Sequence, residues 1–266
     1  MAKKTNKEIT KQNMENISEV LSKVSEMTQE TFKEFLNGLT RFYTYSISNQ
    51  ILLAFQGASC VAGFQQWKKK YNRTVKKGSK AIWILAPMLK KVEEDDGSES
   101  MRLFGFRSVP VFDIKDTEGE PLKNNSLDHI DLDSDMIEKA VQSFGYSVSY
   151  ETMRPETGGF INSQKEIHIN DLIDMKQRPA VLIHELAHGE LGHVDSFDIS
   201  RRDVKEQEAE ITTYLVLKLL GHEPKNSVFY LKSWELEESS IKQSLNRIDK
   251  VVKKIYDALS PAQAMA

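Results

Sequence analysis

His184-Glu185-Leu186-Ala187-His188 is the part of this sequence whose residue types and spacing can do chemistry. On a helix, a separation of four places both imidazoles on one face, where they can hold a zinc ion at about 2.0–2.1 Å. Glu185 sits one step round the same helix, where its carboxylate can reach a zinc-bound water. Zinc lowers the pKa of such a water to about 7, which makes Glu185 the candidate catalytic base at neutral pH. Catalytic zinc takes three protein ligands and keeps a position open, so a third donor is required. Glu206-Gln207-Glu208-Ala209-Glu210 begins 18 residues beyond His188, inside a helical pattern of its own. Glu206 and Glu210 share a face at i and i+4, and Glu208 points elsewhere. One of the two carboxylates would bind zinc while the other accepts a hydrogen bond from a ligand imidazole. Glu206 is favoured as ligand, with Glu210 behind it.

The remaining histidines carry less. His193 lies five residues past His188, where the pattern completed by a third histidine requires six, and it reads as a helix-end residue. His129, His168 and His222 stand isolated.

A second signal lies upstream. Between Val61 and Lys90 there are eight Lys/Arg residues and no acidic ones. Trp67, Lys68, Arg73, Lys76, Lys77 and Lys80 interleave cations with an aromatic ring. Cations suit phosphates, and flat side chains suit the exposed bases of a single strand. A solvated face is the plainer reading of such a run.

The elements that must position these residues follow from periodicity. Residues 1–30 are polar and read as a loosely packed helix or a partly disordered arm. Apolar residues recur at helical spacing from Thr31 to Gln56, giving two helices, the second ending near Gly57. Two β-rich runs, Ala81–Met88 and Met101–Asp113, flank an acidic turn within Glu93–Glu99 and predict a hairpin. Polar residues with Gly119 and Pro121 predict a linker at 119–128. Beyond it come a helix at Met136–Ser143, then strands at Tyr146–Tyr150 and Phe160–Asn170, the latter turning at Asn162-Ser163-Gln164. A helix entered at Pro179 carries the histidines. Val204–Leu220 forms a helix closed by Gly221, and a last helix carries Ile241, Leu245, Ile248, Val252, Ile255 and Leu259 as one stripe.

At 266 residues, 39% hydrophobic and 28% charged, the chain can bury one large core or two ordinary ones. Its net charge of -3 argues against a uniformly basic coat. A single cysteine, Cys60, excludes an intramolecular disulfide framework and a cysteine-based zinc site. The start carries no signal-peptide pattern, and no apolar run reaches about 18 residues. The expectation is a cytoplasmic protein with no membrane partner.

A resemblance adds to this reading. Tyr45-Ser-Ile-Ser-Asn49-Gln50-Ile-Leu-Leu, Val61-Ala-Gly-Phe-Gln-Gln-Trp67, Val75-Lys-Lys-Gly78-Ser-Lys80-Ala-Ile-Trp-Ile-Leu-Ala-Pro87 and Val109-Pro-Val-Phe-Asp113 together resemble the N-terminal domain of ArdC-type antirestriction proteins. That resemblance implies a single-stranded-DNA-binding module and adds Asn49 to the candidate nucleic-acid contacts. The H-E-x-x-H sequence with Glu206–Glu210 resembles the family's C-terminal metallopeptidase domain, related to ImmA/IrrE-like peptidases. It implies Glu206 as ligand and Glu210 behind it.

The reading is therefore an α+β protein of two domains with a bound Zn2+. Residues 31–118 would form the DNA-binding domain and 129–266 a zincin-like metallopeptidase domain. The function expected is a DNA-binding, zinc-dependent hydrolase of a mobile genetic element, acting in antirestriction or DNA protection. Its partners would be single-stranded DNA, with duplex DNA as a second form, and an unknown protein substrate. The alternative is a non-proteolytic DNA-binding factor whose zinc site is structural or vestigial.

Overall fold

The structure, a computed structural model, describes residues 4–93, 98–122, 132–194, 202–224, 229 and 238–260. The acidic turn at 94–97, the linker residues 123–128 and His129 lie outside the described residues. In chain order the helices are α1 (Asn6–Ser22), α2 (Gln29–Arg41), α3 (Ile47–Phe55), α4 (Phe64–Lys69), α5 (Ser134–Ser143), α6 (Arg178–Glu190), α7 (Arg202–Leu219) and α8 (Glu238–Leu259). The strands are β1 (Val61–Ala62), β2 (Arg73–Val75), β3 (Ile82–Glu93), β4 (Glu99–Asp113), β5 (Thr117–Gly119), β6 (Ser147–Glu151), β7 (Gly159–Ile161) and β8 (Glu166–Asn170). The fold is mixed helix and strand, in two compact units: Met1–Lys23 with Arg41–Asn124, and Val24–Thr40 with Asn125–Ala266.

In the first unit, β3 and β4 pair antiparallel from Ile82–Val111 to Glu93–Glu99, with a bulge between Met88 and Leu89, and β1 pairs with β4 on the other side. The base of this hairpin is packed by Phe42, Leu53, Ala58, Val61, Ile84 and Val111. The N-terminal segment is no loose arm. Thr5 and Glu8 form a reciprocal cap that starts α1, satisfying donors at its first turn. Thr10, Asn13, Ile17 and Leu21 are its buried face. Thr10 and Asn13 bond the buried Ser108 hydroxyl, and Asn13 Nδ2 also donates to the Trp83 carbonyl at 3.0 Å. Half of this face is polar, so the segment lacks the apolar periodicity by which helices are read.

Three of the expected DNA contacts have structural roles in this unit. Trp67 is 0% exposed, and its Nε1 donates to the Phe112 carbonyl at 2.8 Å, so its ring cannot stack on a base. Asn49 is buried and makes two bonds to Leu85, Nδ2 to its carbonyl at 2.9 Å and its amide to Oδ1 at 2.8 Å. It thereby satisfies the backbone along β3, the edge strand of its sheet. Arg73 spends its guanidinium on Thr117, Gly119 and Glu120 of the β5 region, clamping the β2–β5 ladder.

In the second unit, β8 lies between β6, to which it is parallel, and β7, to which it is antiparallel. Helix α2 belongs here, not with the N-terminal half as its place in the sequence suggests. Phe32 meets Phe229 edge-on at 5.2 Å, and Asn37 accepts from the Tyr214 hydroxyl at 3.0 Å. Local periodicity shows that a helix has an apolar face but not which core will bury it. Helix α7 is buried on nearly every side, while α8 buries the stripe running from Ile241 to Leu259.

Trp67→Ala should therefore lower the stability of the first unit by about 3–5 kcal/mol, the usual cost of emptying a buried aromatic site. Thermal unfolding followed by circular dichroism checks this; a folded variant with unchanged melting temperature would refute the core assignment.

Candidate metal centre

Helix α6 begins with Pro179 in its first turn and buries Leu182, Ile183, Leu186 and Ala187. Near its end it runs so close to the sheet that a Cβ on Gly189 would lie 2.7 Å from the Tyr146 ring and 2.8 Å from Ile161. That approach fixes the helix about its own axis and so the direction of its histidines. His184 and His188 share the face turned to α7, their rings 4.9 Å apart.

Three donors converge there. His184 Nε2 and His188 Nε2 are 3.2 Å apart, and Glu206 Oε2 lies 3.6 Å from the first and 3.5 Å from the second. Among the described residues these are the group able to hold a metal ion, with donor atoms all within 4.8 Å of one another. Two imidazole nitrogens and one carboxylate oxygen suit zinc and other first-row divalent ions, and three donors leave a coordination position open. Glu210 Oε2 lies 3.7 Å from His184 Nδ1, on the far side of that ring from the donor cluster.

Burial and proximity set the charges. Glu185 is 7% exposed, and burial pushes its carboxyl up to about 7, with Glu206 adding to the effect and His184 opposing it. The His184 and His188 imidazoles beside it hold Glu206 well below the usual carboxylate range. Burial works against a charge on His184, but Glu206, Glu185 and Glu210 together outweigh it and raise its pKa.

The donors open on a cleft of about 1430 Å³, lined among others by Gly158, Phe160, Ala180, Val181, Thr213 and Leu217. One wall is the loop 154–158. Asn170, wholly buried, donates to the carbonyls of Arg154 and Thr157 at 3.0 and 2.7 Å and holds that loop in shape.

Sequence reasoning missed three participants. His193 does follow the helix end, but its Nδ1 lies 3.0 Å from His188 Nδ1 and its Nε2 lies 2.9 Å from Glu208 Oε2. Glu208 faces away from the donors, as helical geometry requires, yet reaches them through His193. Burial raises the Glu208 pKa, but donors on His193, Ser244 and Arg247 outweigh it and bring it down to about 2. No spacing rule marks Arg247, which lies 39 residues further on. Of the other histidines, His168 stacks on Phe160 at 4.5 Å, away from the centre.

In the first unit, Lys68, Lys76, Lys77 and Lys80 are exposed, and Lys76 Nζ also bonds the Lys115 carbonyl. Exposed aromatics of this unit include Phe64 at 50%, on α4 itself, and on the outer hairpin Phe104 at 63% and Phe106 at 40%, beside the exposed Lys90, Lys91 and Arg102. Among the described residues, no helix is long and apolar enough to cross a membrane.

Residues 3–121 match the family model described as the N-terminal domain of anti-restriction factor ArdC. The crystal structure of the antirestriction ArdC protein from the R388 plasmid in metal-free form matches with a TM-score of 0.55 at 18% identity. It covers 82% of this chain and 86% of that one. The Mn(II)-bound structure of the R388 protein matches with a TM-score of 0.53 at 17% identity, over 95% of this chain and 97% of that one. An uncharacterized protein of Bacillus anthracis is 20% identical over 308 residues, 97% of this chain and 51% of the relative. The chain thus spans about half the length of that curated relative.

The geometry sets an order of metal affinities. His184→Ala and His188→Ala should abolish binding of Zn2+ or Mn2+, because each removes a donor. Glu206→Ala should weaken it more than Glu210→Ala, whose loss should cost about 10–100-fold. Calorimetric titration of the metal-free protein checks the order; a larger loss for Glu210→Ala would exchange the two roles.

Proposed function

We propose that this chain is an antirestriction-type, DNA-binding protein of a mobile genetic element whose second unit is a zinc-dependent peptidase-like hydrolase. The observation that carries the hydrolase reading is the convergence of His184, His188 and Glu206 beside Glu185 at an open cleft. The match of residues 3–121 and the likeness to the R388 protein support the DNA-handling reading.

Zinc held by His184, His188 and Glu206 would act as a Lewis acid toward a scissile carbonyl. Glu185 takes the proton of the attacking water and returns it to the leaving amine, a task suited to a carboxyl brought near neutrality by burial. Glu210 orients His184 from behind. Strand β7 is an edge of its sheet and lines the cleft, so an extended peptide can lie along it with main-chain bonds. An open position beside a cleft favours catalysis over a purely structural ion.

In the first unit, Lys68, Lys76, Lys77 and Lys80 meet phosphates, and the rings of Phe104 and Phe106 take over the stacking expected of Trp67. Single-stranded DNA is the partner this combination fits best, since stacked bases need open faces.

Two experiments bear on these halves separately. Glu185→Gln should keep its metal but lose peptide-library cleavage by about 10² or more; an active variant would move the chemistry elsewhere, and an inactive wild type would leave the metal a structural role. Reversing charge at Lys76 and Lys77 should weaken single-strand binding and lower its salt slope by about 0.7 per lost phosphate contact. A folded reversal variant with unchanged affinity and slope would make this stretch a solvated face.

A further inference from the structure

We propose that His193 is a positioning residue for His188, locked by Glu208 and Arg247 so that one nitrogen of His188 always faces the donor cluster. The proposal rests on the metal reading of that cluster and concerns residues outside it.

With His193 a neutral imidazole, the direction of each hydrogen bond in this series follows from its buried end. Glu208 is 1% exposed and, as a carboxylate, can only accept. Its Oε1 accepts from Arg247 Nη2 at 2.5 Å, and its Oε2 accepts from His193 Nε2 at 2.9 Å. A neutral imidazole carries one proton, which leaves His193 Nδ1 as an acceptor. The partner 3.0 Å from it is His188 Nδ1, which must therefore be the donor. His188 Nε2 is left with its lone pair directed at His184 Nε2 and Glu206 Oε2, the form in which an imidazole can hold a metal ion.

The backbone is built to bring His193 back to this place. Gly192, at φ 72°, takes the left-handed conformation that ends α6, and the His193 amide then donates to the His188 carbonyl at 3.0 Å. The Lys205 ammonium of α7 bonds the His193 carbonyl at 3.1 Å. The His193 and Glu208 side chains are 7% and 2% exposed, so water does not compete for these bonds. At His184 the Nδ1 nitrogen has Glu210 Oε2 at 3.7 Å, longer than the contacts that hold His188. Helix α8 supplies no donor to the cluster, yet through Arg247 it helps fix the orientation of His188.

The test uses the full chain. His193→Leu should bind Zn2+ about 10–100-fold more weakly in competition with a chromophoric chelator, and its Co2+ complex should show a changed visible spectrum. His193→Gln can accept from His188 Nδ1 and donate to Glu208, so it should recover most of the lost affinity, with a Co2+ spectrum like the wild type. The melting temperature of each metal-free variant separates a misfolded protein from a misaligned ligand. Imidazole 15N resonances of the metal-free wild type should show His188 protonated at Nδ1 and His193 at Nε2. Wild-type affinity in a folded His193→Leu variant, a Gln variant as weak as Leu, or His188 protonated at Nε2 would each overturn the proposal. If the wild type binds no Zn2+ at all, the metal reading fails, and the 15N spectrum alone decides whether the hydrogen-bonded chain exists.

Discussion

Four carboxylates from two touching helices crowd this centre, and everything around it depends on how their charge is offset. Glu185 comes from α6, and Glu206, Glu208 and Glu210 from α7. A buried carboxylate is costly unless it is paired or hydrogen-bonded. Glu208 has Arg247 and His193, and Glu206 has the two imidazoles. At Glu185 burial prevails, with Glu206 adding to it and only His184 opposing it, and its pKa rises. A divalent cation held by His184, His188 and Glu206 would add positive charge to this crowded group. The close packing of α6 on the sheet at Gly189 and the buried surface of α7 are what hold these groups together against their mutual repulsion.

The parts of this site written in local spacing could be read without coordinates. The separation of His184 from His188, and of Glu206 from Glu210, translates directly into shared helix faces. The hairpin was legible for a similar reason, since two β-rich runs enclosed a strong turn signal. What could not be read is what depends on distant partners. Helix α2 has a clear apolar face, but its joining Tyr214 and Phe229 is a tertiary fact. His193 gains its place from a glycine turn and from residues 15 and 54 positions away.

The basic stretch shows a different limit. Interleaved cations and aromatics have the same composition whether the rings face solvent or a core. Trp67 lies on a six-residue helix with Lys68, Lys69 and Lys70 exposed beside it. The short helix turns its ring inward and its lysines outward, which is ordinary amphipathicity compressed into two turns. Exposed rings are found on the same helix at Phe64 and on β4 at Phe104 and Phe106, where the outer half of the hairpin extends beyond its packed base.

A single device recurs in both units: a buried polar side chain that satisfies backbone or side-chain groups no ladder reaches. Asn13 reaches the Trp83 carbonyl and Asn49 the edge of β3. Asn170 holds the loop that walls the cleft, and Glu208 holds His193. Each is worth little as a net hydrogen bond, yet removing one strands its partner at about 1–3 kcal/mol. These residues therefore fix geometry more than they add stability. They are also polar residues in apolar company, so a reading by hydropathy places them on the surface and misassigns whatever they hold. This is why α1 reads as a loosely packed helix or arm, while the helices with unbroken apolar stripes are read correctly.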